Sequence, residues 1–161
     1  MSSKKILIYN NPLLRKKSKA VKNITPALKK LVHDMADTMY ENNGAGLAAI
    51  QIGELTRIFI LDISEKKDSL QVFINPRIVA KEGEIIGPEA CLSVPKFEGE
   101  VRRGRKITLK AKDIHFEDIT VEAENYLARV IQHELDHLDG VLYIDKVEQG
   151  SLKTVEDMRD M

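Results

Sequence analysis

The chain has 161 residues, and its 25 basic residues balance its 25 acidic residues. This length suits one domain with a substantial core, so we expect a single domain over residues 1–161. The balanced charge and the lack of Trp argue against a surface built mainly for nucleic acid, and we expect no direct nucleic-acid binding.

The cellular compartment can be predicted from apolar segments and cysteine content. No apolar run approaches the roughly 20 residues that a membrane span needs. The N-terminal segment also lacks the apolar region of a signal peptide. We therefore expect no membrane partner and a cytoplasmic location. The single cysteine, Cys91, cannot form an internal disulfide, which agrees with a reducing compartment and leaves its thiol available for other chemistry.

The first half of the chain predicts one helix and several strands. The apolar segment 5–10 (KILIYN) predicts a short strand that ends at a turn before Pro12. A helix is predicted to begin with Thr25 as its N-cap and Pro26 as its first residue, because apolar residues then recur at helical spacing. Segments 57–62 and 71–75 are rich in β-branched and aromatic residues and predict two strands joined by a polar loop.

The second half predicts short strands followed by a strong helix. Segment 77–80 predicts a short strand, and Gly87-Pro88 predicts a break in the chain. Alternating residues in 107–111 and 119–123 predict a hairpin. A helix is predicted from about residue 125 to 138, and the tail 148–161 is predicted as a short or frayed C-terminal helix. The fold class expected is α+β, with antiparallel β-strands packed around this central C-terminal helix, plus the N-terminal helix.

The C-terminal helix contains the pattern H-E-x-x-H, formed by His133, Glu134 and His137. Positions four apart on a helix differ by about 40°, so both imidazoles point the same way and can share one metal ion. The pattern is a metal signature in which the glutamate acts as acid and base. An alternative interpretation is that the histidines only make hydrogen bonds on the helix.

The same helix carries a polar arc that includes Arg129, Gln132 and Asp136. We expect Arg102 or Arg103 to pair with Asp136 and to hold the helix in place. A catalytic metal site usually takes three protein ligands. Cys91 is the preferred third ligand, because it follows the Gly-Pro break in a segment with few apolar residues. Glu148 and Glu156 in the tail are the alternatives.

Three segments of the chain resemble the signature motifs of peptide deformylase, in the same order. They are 44–51 (GAGLAAIQ), 89–93 (EACLS) and 133–137 (HELDH). The resemblance implies hydrolytic removal of the N-formyl group from the N-terminal formyl-methionine of new polypeptides, with release of formate. It also implies one divalent metal held by Cys91, His133 and His137. That metal is expected to be Fe²⁺, which Zn²⁺, Ni²⁺ or Co²⁺ can replace.

The resemblance also implies roles for other residues. Glu134 is expected to be the general acid and base, and the Gln51 side chain and the Leu92 backbone N–H are expected to stabilise the oxyanion. Gly46 is expected to pair with the substrate backbone, and Val130 to line the pocket for the methionine side chain. The expected partners are formyl-methionyl nascent peptides, with transient ribosome association.

The sequence departs from the family pattern at residue 90, where Ala90 replaces a glycine next to the substrate. Alanine would be strained there if the backbone required a positive φ, and it would otherwise crowd the substrate. An arginine that often follows the second motif is not evident in segment 96–100 (KFEGE), and the tail is not basic enough to predict direct ribosome anchoring. Two other functions stay open, a zinc endopeptidase and a non-enzymatic protein that binds peptide N-termini.

Overall fold

The structure is a computed structural model, and it describes residues 3–155. It contains two α-helices, α1 (Pro26–Glu41) and α2 (Asn125–Leu138). Three short 3-10 turns lie at Pro12–Arg15, Ala49–Ile52 and Tyr143–Asp145. The strands are β1 (Gly46–Ala48), β2 (Ile58–Leu61), β3 (Gln71–Cys91), β4 (Val94–Lys112), β5 (Asp118–Glu124) and β6 (Lys153–Thr154).

The strands form one antiparallel sheet in the order β1-β2-β3-β4-β5. β3 and β4 are 21 and 19 residues long, and together they form a long hairpin whose turn contains Leu92 and Ser93. β6 pairs with β4 at Phe97 and Glu98. β1 is the edge strand, so one side of its backbone is not paired within the sheet.

The two helices pack on opposite faces of the sheet. In β2, Ile58 and Ile60 pack with residues of α1, whereas Phe59 and Leu61 pack with residues of α2. All four residues of β2 are buried because both faces of the sheet are covered there. The predicted α+β class, with an antiparallel sheet and two helices, is confirmed.

Both predicted helix boundaries agree closely with the structure. The Thr25 hydroxyl accepts a hydrogen bond from the Leu28 N–H at 3.1 Å, and Pro26 is the first residue of α1. α2 ends at Leu138, and Gly140 follows with a φ of +77°. A Cβ at Gly140 would lie 2.4 Å from the Arg15 carbonyl oxygen, so only glycine fits this position. Neither helix within residues 3–155 is long and apolar enough to cross a membrane.

The predicted strand at 5–10 is wrong. The Leu7 N–H donates to Gln51 and the Tyr9 N–H donates to Ser93, so the segment contacts two elements instead of following one strand. Its apolar side chains pack in two directions. Ile6 packs against the core on the α1 face of the sheet, and Leu7 packs against the core on the α2 face.

The predicted break at Gly87-Pro88 is also wrong, because β3 continues through it to Cys91. Gly87 and Pro88 pair in register with Val101 and Glu100 of β4, and this hairpin holds the strand together despite residues that usually interrupt strands. In the tail, Lys153–Thr154 form β6 rather than a short helix, since they pair with β4. Residues 156–161, including the alternative ligand Glu156, lie outside the described residues.

Candidate metal and active site

The three predicted metal ligands converge although Cys91 lies more than 40 residues before the histidines. Their ligand atoms all lie within 4.8 Å of one another, and all three residues are buried. The Cys91 Sγ lies 3.3 Å from the His137 Nε2. The two imidazole centroids on α2 are 5.1 Å apart, as expected for side chains on adjacent turns.

The turn between β3 and β4 positions the thiol. Cys91 is the last residue of β3 and pairs with Val94, so Leu92 and Ser93 form a tight turn directly beside the histidines. Ser93 is fully buried, and its hydroxyl accepts a hydrogen bond from the Gln51 Nε2 at 3.0 Å. The turn is therefore held against the first motif as well as against α2.

This donor set fits a divalent metal. A thiolate and two imidazoles suit several transition metals, including iron and zinc. The His133 Nδ1 lies 2.8 Å from a Glu89 oxygen, and an N–H donated to that carboxylate leaves the lone pair of Nε2 for a cation. Burial lowers the pKa of His137 well below its usual value, so its imidazole is neutral and able to act as a ligand. Burial also opposes the charged form of His133, but contacts with Cys91 and Glu89 raise the pKa of His133 well above its usual value, so a cation bound at its Nε2 would displace a proton.

Glu89 anchors the site, although no role is predicted for it from the sequence. Its Oε1 accepts a hydrogen bond from Arg103 Nη2 and faces His133 Nδ1. Its Oε2 accepts hydrogen bonds from Arg103 Nε at 2.8 Å and from Arg129 Nη1 at 2.6 Å. Burial alone would raise the pKa of Glu89, but the hydrogen bonds from Arg103 and His133 outweigh it and lower the pKa to about 2. Glu89 precedes Cys91 by two residues, and this spacing places both on the same side of a strand, which is the signal that could have identified it.

Arg103 extends this hydrogen-bond network to α2. Its Nη1 donates to Asp136 at 2.6 Å, and Asp136 also pairs with Lys146 at 3.0 Å. The predicted contact with Asp136 therefore belongs to Arg103, while Arg102 pairs with Glu84 and with Glu148.

The polar arc of α2 is mostly buried instead of facing solvent. Arg129 donates to the Val101 carbonyl at 3.0 Å. The Gln132 side chain forms hydrogen bonds with both the N–H and the C=O of Gly104. These polar residues face β3 and β4 and form hydrogen bonds with backbone groups there, which compensates for their burial. Helical spacing cannot reveal these partners, because they lie on other elements of the chain.

Glu134 is buried beside the ligands, and burial raises its pKa to about 7. Its Oε1 is buried without a hydrogen-bond partner among the described residues. A Cβ at Gly46 would lie 2.7 Å from Oε2 and 2.9 Å from Cγ of Glu134, so Gly46 leaves the space that this carboxyl group occupies. A carboxyl group with a pKa near neutrality can both accept and donate a proton at working pH.

A cavity of about 290 Å³ opens beside these groups. Of the nine predicted site residues, only His137 does not line this cavity. The eight that do are Gly46, Gln51, Ala90, Cys91, Leu92, Val130, His133 and Glu134. Ala90 has a negative φ within β3, so the strain considered for alanine at this position does not arise. Pro88, Tyr126 and Arg129 also contribute to the lining.

Comparison with known proteins identifies the family of this chain. The family model described as polypeptide deformylase matches residues 3–153. The chain belongs to the peptide deformylase family. It is 47% identical to peptide deformylase 1 of Clostridium perfringens, over 90% of this chain and 98% of that protein. It is 43% identical to the peptide deformylase of Finegoldia magna, over 99% of each chain.

Solved deformylase structures share the fold. The crystal structure of a peptide deformylase from Legionella pneumophila matches with a TM-score of 0.88 and 40% identity, over 91% of this chain and 87% of that chain. The deformylase from Thermotoga maritima matches with a TM-score of 0.86 and 37% identity, over 91% of this chain and 98% of that chain. The resemblance predicted from the three deformylase motifs is confirmed.

Proposed function

We propose that this chain is a metal-dependent peptide deformylase that hydrolyses the N-formyl amide of formyl-methionyl nascent peptides and releases formate. The observation that carries the proposal is the convergence of Cys91, His133 and His137 next to the buried Glu134, at the wall of a cavity. Membership of the deformylase family selects this reaction over endopeptidase cleavage, which the H-E-x-x-H pattern alone leaves open.

In this proposal Cys91, His133 and His137 hold one divalent metal, and α2 serves as the metal-binding helix. Ferrous iron is the proposed physiological ion, and zinc, nickel or cobalt can replace it. When bound, the metal supplies Lewis acidity that lets a water molecule lose a proton near neutral pH.

Glu134 is the proposed acid and base. Its carboxylate takes the proton from the attacking water and returns it to the amine of the departing peptide. The pKa of about 7 suits both steps, since a group that titrates near the working pH can transfer a proton in either direction.

The Gln51 side chain and the Leu92 N–H are the proposed donors to the oxyanion. Gln51 is buried at the cavity wall, and its Oε1 accepts a hydrogen bond from the Ala48 N–H at 2.9 Å, which fixes the orientation of the amide. The amide NH₂ therefore points toward Cys91 and Ser93, with Nε2 lying 3.6 Å from Sγ. Donors held in place before the reaction stabilise developing charge without reorganisation.

The substrate peptide is proposed to lie along β1. Gly46 belongs to the edge strand, so its free backbone groups can pair with an extended peptide. Val130 lies one turn before His133 and is the proposed wall for the methionine side chain. Ala90 adds a methyl group to the same lining and is proposed to narrow the cavity without distorting the backbone.

The proposed substrate also specifies the cellular setting. Nascent chains are made in the cytoplasm, so we infer a cytoplasmic enzyme with one catalytic domain over residues 1–161. Ribosome association is proposed to be transient. Residues 148–161 carry four acidic and two basic side chains, which does not favour a stable electrostatic contact with ribosomal RNA.

The test is formate release from formyl-Met-Ala-Ser by anaerobically purified, iron-loaded protein. Glu134→Ala should keep its metal and lose about 10²–10⁴-fold in kcat. Glu122→Gln, which changes an exposed glutamate on β5, should behave like the wild type. Metal-loaded, folded wild type that releases no formate would instead favour a protein that only binds peptide N-termini.

A further inference from the structure

Arg129 is one of the residues that line the cavity, and hydrogen bonds to β3 and β4 hold its guanidinium. Its Nη1 donates to Glu89 at 2.6 Å and to the Val101 carbonyl at 3.0 Å, and its Nη2 donates to the Ile85 carbonyl at 3.1 Å. These contacts use three of the five N–H groups of a guanidinium. Within residues 3–155, the Nε–H and the second Nη2–H of Arg129 have no hydrogen-bond acceptor.

Gly87 on β3 makes this position of Arg129 sterically allowed. A Cβ at residue 87 would lie 3.1 Å from Nη2, 3.3 Å from Cζ and 3.4 Å from Nε of Arg129. These distances are tighter than most contacts of a real Cβ, so an alanine there would shift the guanidinium by a few tenths of an ångström. Gly87 therefore leaves room for the guanidinium of Arg129, a residue that lines the cavity.

The positive charge of Arg129 is partly offset within a buried network. Arg129 shares the carboxylate of Glu89 with Arg103, and Arg103 also contacts Asp136, which pairs with Lys146 as well. The remaining N–H groups of Arg129 can donate to a neutral, strongly polar acceptor.

We propose that Arg129 is a specificity-determining residue that lets this cavity accept N-formyl-methionine sulfoxide in addition to formyl-methionine. The inference rests on the proposed deformylase function and names a substrate class for that site. An apolar side chain that enters the cavity removes water from the remaining N–H groups and offers no acceptor, which is costly. A sulfoxide oxygen at the end of the same side chain supplies the acceptor, and methionine oxidation produces this group.

The test compares two substrates of similar length, formyl-Met(O)-Ala-Ser and formyl-norleucine-Ala-Ser. The ratio of their kcat/KM values is measured for iron-loaded wild type, Arg129→Met and Arg129→Lys. Arg105→Met is the matched control, because Arg105 is half-buried and does not line the cavity. A ratio of two substrates on one enzyme cancels any general loss of activity.

Arg129→Met should lower the sulfoxide-to-norleucine ratio about tenfold, as expected for a lost hydrogen bond to a charged donor. Arg129→Lys should lower it less, and Arg105→Met should leave it unchanged. Gly87→Ala provides a second variant in case Arg129→Met does not fold. Its Cβ crowds the guanidinium while the charge is kept, so the variant should lower the ratio in the same direction but by less. An unchanged ratio in the folded variants would overturn the inference.

A separate binding measurement distinguishes this inference from the proposed function. The affinities of acetyl-Met(O)-Ala-Ser and acetyl-norleucine-Ala-Ser are measured by calorimetry on wild type and on the same variants. If no formyl peptide is hydrolysed but Arg129→Met still lowers relative sulfoxide affinity, the proposed reaction is wrong and the side-chain preference stands. If formyl peptides are hydrolysed and neither ratio changes, the preference is wrong and the reaction stands.

Discussion

A Cβ at Gly46 would lie 2.7 Å from Oε2 of Glu134, so the edge strand and the proposed catalytic base are in direct contact. The resemblance to deformylases predicts that Gly46 pairs with a substrate backbone. The structure adds a second reason, since the glycine also leaves space for the glutamate carboxyl group. The first and third motifs are therefore coupled by packing.

Gly46→Ala should lower kcat by about 10²-fold, because moving a catalytic group by around 1 Å has effects of that size. The metal content should stay at the wild-type level, since Gly46 is not one of the three residues expected to hold the metal. Formate release and metal analysis on the same preparation check this. Wild-type kcat in Gly46→Ala would show that the glutamate does not need its observed position.

Glu89→Gln should lower both the metal affinity and the stability of the folded protein. The substitution removes the carboxylate that pairs with Arg103, Arg129 and His133 in a buried network. Metal affinity should fall by about 10–100-fold, as for other residues that orient a metal-binding histidine. The free energy of unfolding should fall by about 3–5 kcal/mol, because two buried guanidinium groups lose their shared partner.

Competition with a chelator and urea denaturation measure these two effects. Glu100→Gln is the matched control, since Glu100 is exposed and lies on the neighbouring strand. A Glu89→Gln protein with unchanged metal affinity would contradict the role assigned to the Glu89–His133 contact.

Gln51→Ala should reduce kcat by about 10²–10³-fold, the usual effect of removing one oxyanion donor. The metal should be retained, because Gln51 contacts the turn at Ser93 and lies 3.6 Å from the Cys91 sulfur without being needed as a ligand. Gln149→Ala, which changes an exposed glutamine, is the control. A large change in KM with kcat preserved would instead make Gln51 a substrate-binding residue.

Asp62 should make stability depend on pH below about 4. Burial alone would raise the pKa of this carboxyl group, but hydrogen bonds from Ser64, Tyr40 and Ser69 outweigh burial and lower it below the usual value of 3.8. A lowered pKa in the folded state stabilises the protein above the pKa of the unfolded state, and this stabilisation is lost as the pH falls further.

Asp62→Asn should therefore be less stable than the wild type at neutral pH, and the difference should shrink as the pH falls below 3.8. Thermal unfolding across this range measures the effect, with Glu65→Gln in the same loop as an exposed control. A stability difference that stays constant down to pH 2 would show that the Asp62 carboxylate is not the cause.

Local sequence patterns predicted the elements that depend on neighbouring residues. Thr25 and Pro26 define the beginning of α1 through contacts within one turn, and α2 ends where Gly140 adopts a positive φ. The hairpin of β4 and β5 follows from alternation, with Leu109 paired to Val121. In each case the interactions that determine the structure lie within a short segment.

Two features that depend on distant contacts were not predicted. β3 passes through Pro76 and Pro88 because the long ladder with β4 supports it and a register shift lies at Ile74–Arg77. Arg129 was assigned to a polar helix face, but it is buried by partners on β3 and β4 that sequence spacing cannot show.

The residues of the candidate site also divide into those that local spacing predicts and those that depend on distant contacts. His133 and His137 can be paired from helical periodicity alone, whereas the choice of Cys91 as their partner also needed the family motifs. The contacts of Glu89 with Arg103 and Arg129 come from residues 14 and 40 positions away, so they require the folded hairpin.

The most direct test of the account is the rate of formate release from formyl-Met-Ala-Ser as iron is added to metal-free protein. For the wild type, the rate should rise in proportion to bound iron and level off at one ion per chain. Cys91→Ser should bind iron more weakly, and its rate should stay low at the same iron concentrations. Full activity in the metal-free protein, or in Cys91→Ser without bound metal, would contradict the three-ligand metal site.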